Sequence, residues 1–128
     1  LHPAAVRLAM QLFGEHAALI SDSLRCAGMP DGDYELGGLP IRLGGGVARL
    51  LDGTLAGSSI NVGEAVRRAV KFGVPLESAI RAATSTPARS VRLTDCGELA
   101  PGKRADIVVL DAELNVKTVF VGGERVVG

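Results

Sequence analysis

One carboxylate follows the kind of strand that carries reactive groups in α/β proteins. Asp22 comes after residues 17–20, a short apolar run that is typical of a strand buried in a parallel sheet. The carboxyl ends of such strands are where active sites lie in barrels and open α/β sheets. A carboxylate in that position can act as a general base or as a metal ligand. Position alone leaves the plainer alternative open, namely that Asp22 caps the next turn.

A second candidate is residues 53–59, which place small residues and backbone N–H groups just before a predicted helix. Because the N–H groups at a helix N-terminus point outwards, such a segment favours anions and sugar hydroxyls. No lysine follows the Gly-Ser pair, so the segment is not a phosphate-binding P-loop. Taken alone, it is also explained as a turn that enters the helix.

The metal-ligating residue types are sparse. His2 and His16 are the only histidines and cannot build a His-rich metal site by themselves. Cys26 and Cys96 lack a neighbouring Cys or His at the spacing of zinc ligands. We therefore expect two free thiols in a reducing compartment, the cytoplasm, rather than a disulfide or a zinc site.

Composition excludes several classes of partner. The chain of 128 residues has 14 Lys and Arg against 14 Asp and Glu, so no net field attracts nucleic acid or an anionic membrane. No apolar run reaches the length of a membrane span, and we expect no signal peptide. With 47% hydrophobic but only 3% aromatic residues, the core must be built from Leu, Val, Ile and Ala.

The spacing of apolar residues, with proline and glycine at the ends, predicts four helices. They run from Pro3 to Gly14, from the N-cap Asn61 to Gly73, from Pro75 to Ala83, and from a short start at Thr86-Pro87 with Thr86 as N-cap. Glycine pairs between alternating residues predict an antiparallel meander at about 33–51. Three further strands are predicted at residues 105–110, 116–121 and 124–127. The fold class is α/β with β-rich additions.

Four stretches carry a family resemblance. They are residues 20–32, residues 52–59 with the sequence DGTLAGSS, residues 83–89 and residues 97–106. In this order they resemble the N-acetylglucosamine-6-phosphate deacetylase family of the amidohydrolase superfamily. The last stretch is shared by many amidohydrolases, whereas DGTLAGSS is much more specific to this deacetylase.

The resemblance implies a fold. The family has a metal-dependent-hydrolase (β/α)₈ barrel beside a small β-sandwich that takes strands from both chain ends. On that pattern the chain is the C-terminal part of such an enzyme. Residues 1–94 would be the end of the barrel, with residues 17–21 as its last strand and the meander as an addition. Residues 95–128 would be the C-terminal strands of the sandwich.

The resemblance also implies an activity in amino-sugar metabolism. Asp22 would be the general acid/base, taking a proton from a metal-bound water that attacks the acetyl carbonyl and giving it to the departing amine. Leu55, Ala56 and Gly57 would line the sugar-phosphate pocket, where a side chain at Gly57 would intrude on a close approach of the backbone. N-Acetylglucosamine 6-phosphate would yield glucosamine 6-phosphate and acetate.

The departures from the family pattern are equally specific. The family's divalent metal, zinc or iron, is held by a Glu and two His from earlier barrel strands, and this chain contains none of them. We therefore expect no metal site in this chain, no activity of the isolated chain, and a homo-oligomer, a dimer or more. The alternatives are another amidohydrolase, such as a dihydroorotase-like or adenine-deaminase-like enzyme, and a non-catalytic remnant or assembly module.

Overall fold

A computed structural model describes residues 1–128. They form four α-helices, one 3₁₀ turn and seven β-strands, and the strands build two separate antiparallel sheets. The chain divides into two compact units. Ile20–Ala65 form one, named here the central unit, and Leu1–Leu19 with Val66–Gly128 form the other, the terminal unit. The predicted mixture of helices and strands is confirmed.

The helices begin and end largely where proline, glycine and asparagine predict. They are α1 (Pro3–Phe13), α2 (Val62–Lys71), α3 (Leu76–Ala83) and α4 (Ser85–Ser90), with a 3₁₀ turn at Gly14–His16. Gly14, with φ +50°, ends α1 in a conformation that most residues avoid. The side chain of Asn61 accepts a hydrogen bond from the backbone N–H of Glu64 at 2.9 Å, which confirms Asn61 as a cap.

Two sequence predictions about local structure are wrong. Thr86 is not the N-cap of α4, because that helix begins at Ser85. The Thr86 hydroxyl donates instead to the carbonyl oxygen of Glu15 at 2.9 Å, and the residue is only 6% exposed. The hydrogen-bond acceptor of Thr86 is therefore far away in the sequence, and a capping pattern, which relates near neighbours only, cannot predict it.

The strand predicted at residues 17–21 does not form. Ala17 is extended, with φ −70° and ψ 123°, but no strand of the chain lies alongside this segment. The Leu19 N–H donates to the carbonyl oxygen of Ala82, at the end of a helix, at 2.8 Å. Ile20 is 72% exposed rather than buried. An apolar, extended segment becomes a strand only where a partner completes its ladder.

The central unit contains the predicted meander. Its strands are β1 (Gly32–Leu36), β2 (Leu39–Gly44), β3 (Val47–Leu50) and β4 (Leu55–Gly57), paired in chain order and antiparallel. Ile41 and Leu43 alternate with exposed Arg42 along β2, so one face of the sheet is apolar. That face, to which buried Ala48 of β3 also belongs, packs on buried Cys26, with Leu24 and Tyr34 at its margin. Cys26 and Cys96 are free thiols.

Gly57 is the place where the Leu24 segment packs against the sheet. A Cβ added to Gly57 would lie 2.8 Å from Cδ2 and 2.9 Å from Cγ of Leu24. The space that a side chain at Gly57 would need is therefore filled by protein. The absence of a side chain at this position allows Leu24 to pack against the sheet.

The terminal unit has a helical core and a three-stranded sheet. Val66, Ala69, Val74 and Ala79 are buried together, which confirms a core of small aliphatic side chains. The sheet consists of β5 (Ile107–Leu110), β6 (Val116–Val121) and β7 (Glu124–Val127) in that order, as predicted. None of the helices is long and apolar enough to cross a membrane.

Asp106 ties the start of this sheet to the turn between β6 and β7. Its carboxylate accepts a hydrogen bond from the Gly122 N–H at 2.8 Å and another from the side chain of Arg104. The Gly122 hydrogen bond, with a smaller contribution from Arg104, holds the pKa of the Asp106 carboxyl below its ordinary value. Asp106 thus has a structural role here.

We predict that Gly57→Ala destabilises the protein and that Leu24→Ala relieves part of the loss. The added methyl group would overlap Leu24, so the double variant should lose less stability than the two single losses added together. Residues in contact typically couple by about 0.5–3 kcal/mol, which urea unfolding of the four-member cycle would measure. Gly53, also at positive φ but with open space around it, provides the control. Additive losses at Gly57 and Leu24 would contradict the packing described.

We predict that Asp106→Asn lowers the melting temperature at neutral pH and that the difference from wild type shrinks in acid. A carboxyl whose pKa is lowered by folding stabilises the protein above its unfolded pKa of about 3.9. That stabilisation is lost as pH falls through this value towards the lower folded pKa. Melting curves between about pH 7 and pH 3 test this, with Glu113→Gln as control because that carboxylate has no hydrogen bond in the chain. A melting-temperature difference independent of pH would exclude the role.

Candidate active site

The backbone of Asp22 has an uncommon conformation. Its φ is +50°, and only two other non-glycine residues of the chain, Arg92 and Leu114, share a positive φ. Aspartate enters this left-handed region more readily than most residues, but it still needs support from its surroundings. The side chain of Asp22 is exposed.

The carboxylate of Asp22 is free of partners within the chain. Five of the seven aspartates, at positions 31, 33, 52, 106 and 111, use their carboxylates in hydrogen bonds. Asp22 makes no hydrogen bond or ion pair through its carboxylate, and the nearby Ser23 N–H is turned to the Ser21 hydroxyl at 3.4 Å. The alternative in which Asp22 caps the next turn is therefore wrong. Its oxygens are available to a ligand.

The backbone around Asp22 is attached to the residue that follows β4. The Ser58 N–H donates to the carbonyl oxygen of Asp22 at 3.0 Å, and the Leu24 N–H donates to the carbonyl oxygen of Ser58 at 2.8 Å. These bonds make an isolated parallel bridge between Ser23 and Ser58. The structure thus brings the Asp22 segment next to the end of the Leu55–Gly57 strand, although the two are far apart in sequence.

The three residues predicted to line a pocket differ in exposure. Leu55 is 62% exposed, whereas Ala56 and Gly57 are half-buried. On one edge β4 pairs with β3, where Ala48 lies opposite Gly57. Since Leu24 fills the side-chain direction of Gly57, any contact of that residue with a ligand would be through its backbone. The roles of Asp22, Leu55, Ala56 and Gly57 stay predictions.

Serine hydroxyls that are not among the predicted site residues support this region. Ser23 Oγ donates to the carbonyl oxygen of Ile60, and Ser59 Oγ donates to that of Gly46 in the turn between β2 and β3. Asp31 holds the same turn by accepting from the Gly45 N–H at 2.9 Å. The available signal was the hydroxyl content of the two segments, SDS and SS, but their pairing cannot be read from spacing.

Asp52, the first residue of the DGTLAGSS segment, has a structural role. Its carboxylate accepts from the Thr54 N–H at 2.8 Å, and this hydrogen bond holds the pKa of the Asp52 carboxyl below its ordinary value. The Leu50 N–H donates to the carbonyl oxygen of Thr54 at 2.8 Å and closes the turn. Asp52 therefore shapes the connection from β3 into β4.

The metal-ligating side chains of the chain lie apart from one another. No three of its His, Cys, Asp and Glu side chains are grouped closely enough to bind a metal ion. His2 caps α1 by accepting from the Ala4 N–H at 3.2 Å, and His16 is exposed. Asp22 is the single predicted site residue with a metal-ligating side chain, so the donors present here do not fit the divalent metal that the resemblance implies.

A cavity of about 120 Å³ lies in the terminal unit and contains none of the predicted site residues. Among its lining residues are Glu15, Arg81 and Thr86. Arg81 is already paired with Glu15 and Glu77, and the Thr86 hydroxyl is bonded to the Glu15 carbonyl. The polar groups of Glu15, Arg81 and Thr86 are thus bonded to one another or to Glu77 within the protein.

Comparison with known proteins identifies relatives along the whole chain. A model of the amidohydrolase family matches residues 5–126. The N-acetylgalactosamine-6-phosphate deacetylase of Escherichia coli O157:H7 is 42% identical over 97% of this chain and 33% of its own length. The N-acetylglucosamine-6-phosphate deacetylase of Vibrio furnissii is 34% identical over 98% of this chain and 32% of its own.

The similarity extends to three dimensions. A mutant of the N-acetyl-D-glucosamine-6-phosphate deacetylase of Mycobacterium smegmatis, solved in complex with N-acetyl-D-glucosamine-6-phosphate, superposes with a TM-score of 0.93 at 41% identity. The match covers 100% of this chain and 35% of the other. The chain therefore spans about a third of the length of these three relatives. The chain belongs to the amidohydrolase family, and the relatives it resembles are N-acetylglucosamine- and N-acetylgalactosamine-6-phosphate deacetylases.

Proposed function

We propose that the chain supplies one part of the active site of an enzyme that hydrolyses the acetamide of N-acetylglucosamine 6-phosphate. The products are acetate and glucosamine 6-phosphate, in the catabolism of amino sugars. The observation that carries the proposal is the free, exposed carboxylate of Asp22, whose backbone is bonded to Ser58 directly after the Leu55–Gly57 strand. The name and bound sugar of the similar Mycobacterium smegmatis structure support the choice of substrate.

Asp22 is the general acid/base of this reaction. Its carboxylate takes a proton from the water that attacks the acetyl carbonyl and later gives a proton to the departing amine nitrogen. Two properties of the residue support the role. No group of the chain competes for its oxygens, and its backbone is held by hydrogen bonds, so that a proton acceptor stands at a defined position.

Leu55, Ala56 and Gly57 line the side of the sugar-phosphate pocket next to Asp22. Exposed Leu55 offers an apolar surface suited to the C–H groups of a sugar ring. Ala56 and Gly57, which carry little or no side chain, allow a ligand to approach the backbone closely. Adjacency of β4 to the Asp22 segment supports this arrangement, since a substrate contacting Leu55 would lie near the carboxylate.

The proposed frame is the last part of a (β/α)₈ barrel with strands of a small β-sandwich. Residues 1–94 belong to the barrel and residues 95–128 to the sandwich. Similarity to deacetylases about three times as long supports this frame. The three-stranded sheet from Ile107 to Val127 would be the part of the sandwich in this chain.

Amidohydrolases typically depend on a divalent metal, and we propose zinc or iron for the complete enzyme. Because the donors of this chain do not fit a metal site, other parts of the enzyme would provide the ligands.

We further propose a homo-oligomer of at least two copies that works in the cytoplasm. The free buried thiol of Cys26 suits a reducing compartment.

The second candidate substrate is the C4 epimer, N-acetylgalactosamine 6-phosphate. The observation that supports it is the 42% identity to the N-acetylgalactosamine-6-phosphate deacetylase of Escherichia coli O157:H7, which is close to the 41% identity to the Mycobacterium smegmatis enzyme for the glucosamine sugar. The two sugars share the acetamide and the phosphate, so Asp22 would have the same role with either. Acetate release measured with both epimers decides between them through their ratio of kcat/KM.

We predict that Asp22→Asn in the natural protein that carries this chain lowers kcat for acetate release by about 10²–10⁴-fold, the usual contribution of a positioned acid/base. Asparagine keeps the size of the side chain and tolerates the positive φ, so bound metal per subunit should not change. Asp95→Asn is the matched control, because the carboxylate of Asp95 also makes no hydrogen bond. Wild-type turnover in the Asp22 variant, with either epimer, would exclude the assignment.

We predict that residues 1–128, purified alone, bind less than one equivalent of zinc or iron and release no acetate from either sugar. The reason is the lack of any group of three metal-ligating side chains. Elemental analysis after dialysis, together with an acetate assay, provides the measurement. One metal per chain with measurable turnover would show that the chain is a complete catalyst and that its ligand set has been misjudged.

A further inference from the structure

Three hydrogen bonds join residues 22–24 to residues 58–60. Two are backbone bonds, from the Ser58 N–H to Asp22 and from the Leu24 N–H to Ser58. The third is the bond from the Ser23 hydroxyl to the carbonyl oxygen of Ile60, and it is the one contact among the three that uses a side chain. No strand ladder extends from this pairing, because Ser23 and Ser58 form an isolated parallel bridge.

Asp22 depends on this junction for its conformation. At φ +50° its backbone lies in a region that costs free energy for a residue with a side chain, and such conformations persist where the surroundings hold them. The carboxylate itself is not bonded to any group of the chain. Its direction is therefore determined by the backbone of residues 21–23 and by whatever holds that backbone.

Ser23 connects this backbone to a well-defined part of the central unit. Its acceptor, Ile60, directly precedes Asn61, whose side chain caps α2. The Ser58 hydroxyl accepts a hydrogen bond from the Ile60 N–H at 3.2 Å. Both the N–H and the carbonyl oxygen of Ile60 are therefore hydrogen-bonded. The Ser23 hydroxyl is thus bonded to a fixed carbonyl.

We propose that Ser23 is a positioning residue for the acid/base chemistry of Asp22. By fixing residue 23 on the Ile60 carbonyl, its hydroxyl holds Asp22 in the left-handed conformation that directs the carboxylate to the acetamide of the substrate. The inference rests on the proposed function of Asp22. It adds a second residue on which turnover depends, although that residue touches neither water nor sugar.

Variants of the natural protein test the proposal through kcat and KM for acetate release. Ser23→Ala should lower kcat by about 10- to 100-fold, because small misplacements of a catalytic group cost up to about 10²-fold. KM should stay within about threefold, since Ser23 has no part in sugar binding. Ser23→Thr keeps the hydroxyl and should restore turnover, while Ser23→Cys, a weaker donor, should lie in between.

Ser90→Ala is the matched control, because the Ser90 hydroxyl also donates to a backbone carbonyl, that of Pro87, at 2.7 Å. It should leave kcat unchanged. Amide hydrogen exchange gives a readout without activity: the N–H groups of Leu24 and Ser58 should exchange faster in Ser23→Ala than in Ser90→Ala. In the Asp22→Asn background, Ser23→Ala should not lower the residual rate further, since its effect passes through the Asp22 carboxylate.

Three outcomes overturn the proposal, and they separate it from the proposed function. Wild-type kcat in Ser23→Ala, with Asp22→Asn inactive, would remove the positioning role and leave the role of Asp22 intact. An equal further loss from Ser23→Ala in the Asp22→Asn background would show that Ser23 acts independently of Asp22. Full activity of Asp22→Asn would overturn both, whatever the exchange rates of the Leu24 and Ser58 amides.

Discussion

The short parallel pairing between residues 22–24 and Ser58 is the constraint on which the candidate site depends. It joins a segment with no strand partner of its own to the end of the meander. The packing follows from it, because Leu24 occupies the space left by the missing side chain of Gly57 and lies against the core around Cys26. Two backbone hydrogen bonds and one small residue thus keep an exposed carboxylate next to the β4 strand.

This junction separates two kinds of aspartate in the central unit. Asp31, Asp33 and Asp52 use their carboxylates to hold turns or a cross-strand pair, and the hydrogen bonds lower the pKa of Asp33 and Asp52. Asp22 is held by its backbone instead, which leaves its oxygens free. A residue whose backbone is held in place while its carboxylate makes no internal hydrogen bond is suited to exchange protons with a ligand. The family likeness suggested the role, and the hydrogen-bond pattern explains how the chain supports it.

Local features of the sequence predicted most of the elements. Pro3, Gly14 and Asn61 mark helix ends through their own backbone or side-chain chemistry, so neighbouring residues are enough to place them. Glycine pairs between alternating residues likewise predicted the meander and the final sheet. Predictions that need a distant partner were wrong: residues 17–21 lack a neighbouring strand, and Thr86 bonds to Glu15 rather than to its own helix.

The candidate site likewise has features that the sequence predicted and features that it could not reveal. The residue types of Asp22 and of the Leu55–Gly57 segment were visible in the sequence, and the resemblance supplied their roles. Their adjacency was not visible, because it depends on backbone hydrogen bonds across more than thirty intervening residues. The support from Ser23 and the filling of the Gly57 position by Leu24 were missed for that reason. The spacing of residues in the sequence indicates which side chains a site could use. Tertiary contacts decide which of these side chains are hydrogen-bonded within the protein and which remain available to a ligand.

The most direct test of the account is a crystal structure of the Asp22→Asn variant of the natural protein with bound N-acetylglucosamine 6-phosphate. The distance that decides is from the side chain of residue 22 to the acetamide nitrogen of the sugar. The account predicts hydrogen-bond reach, about 2.6–3.2 Å, with Leu55 against the sugar and the Ser58 bonds intact. A sugar bound with its acetamide remote from residue 22, while the Ser58 bonds persist, would contradict the central claim.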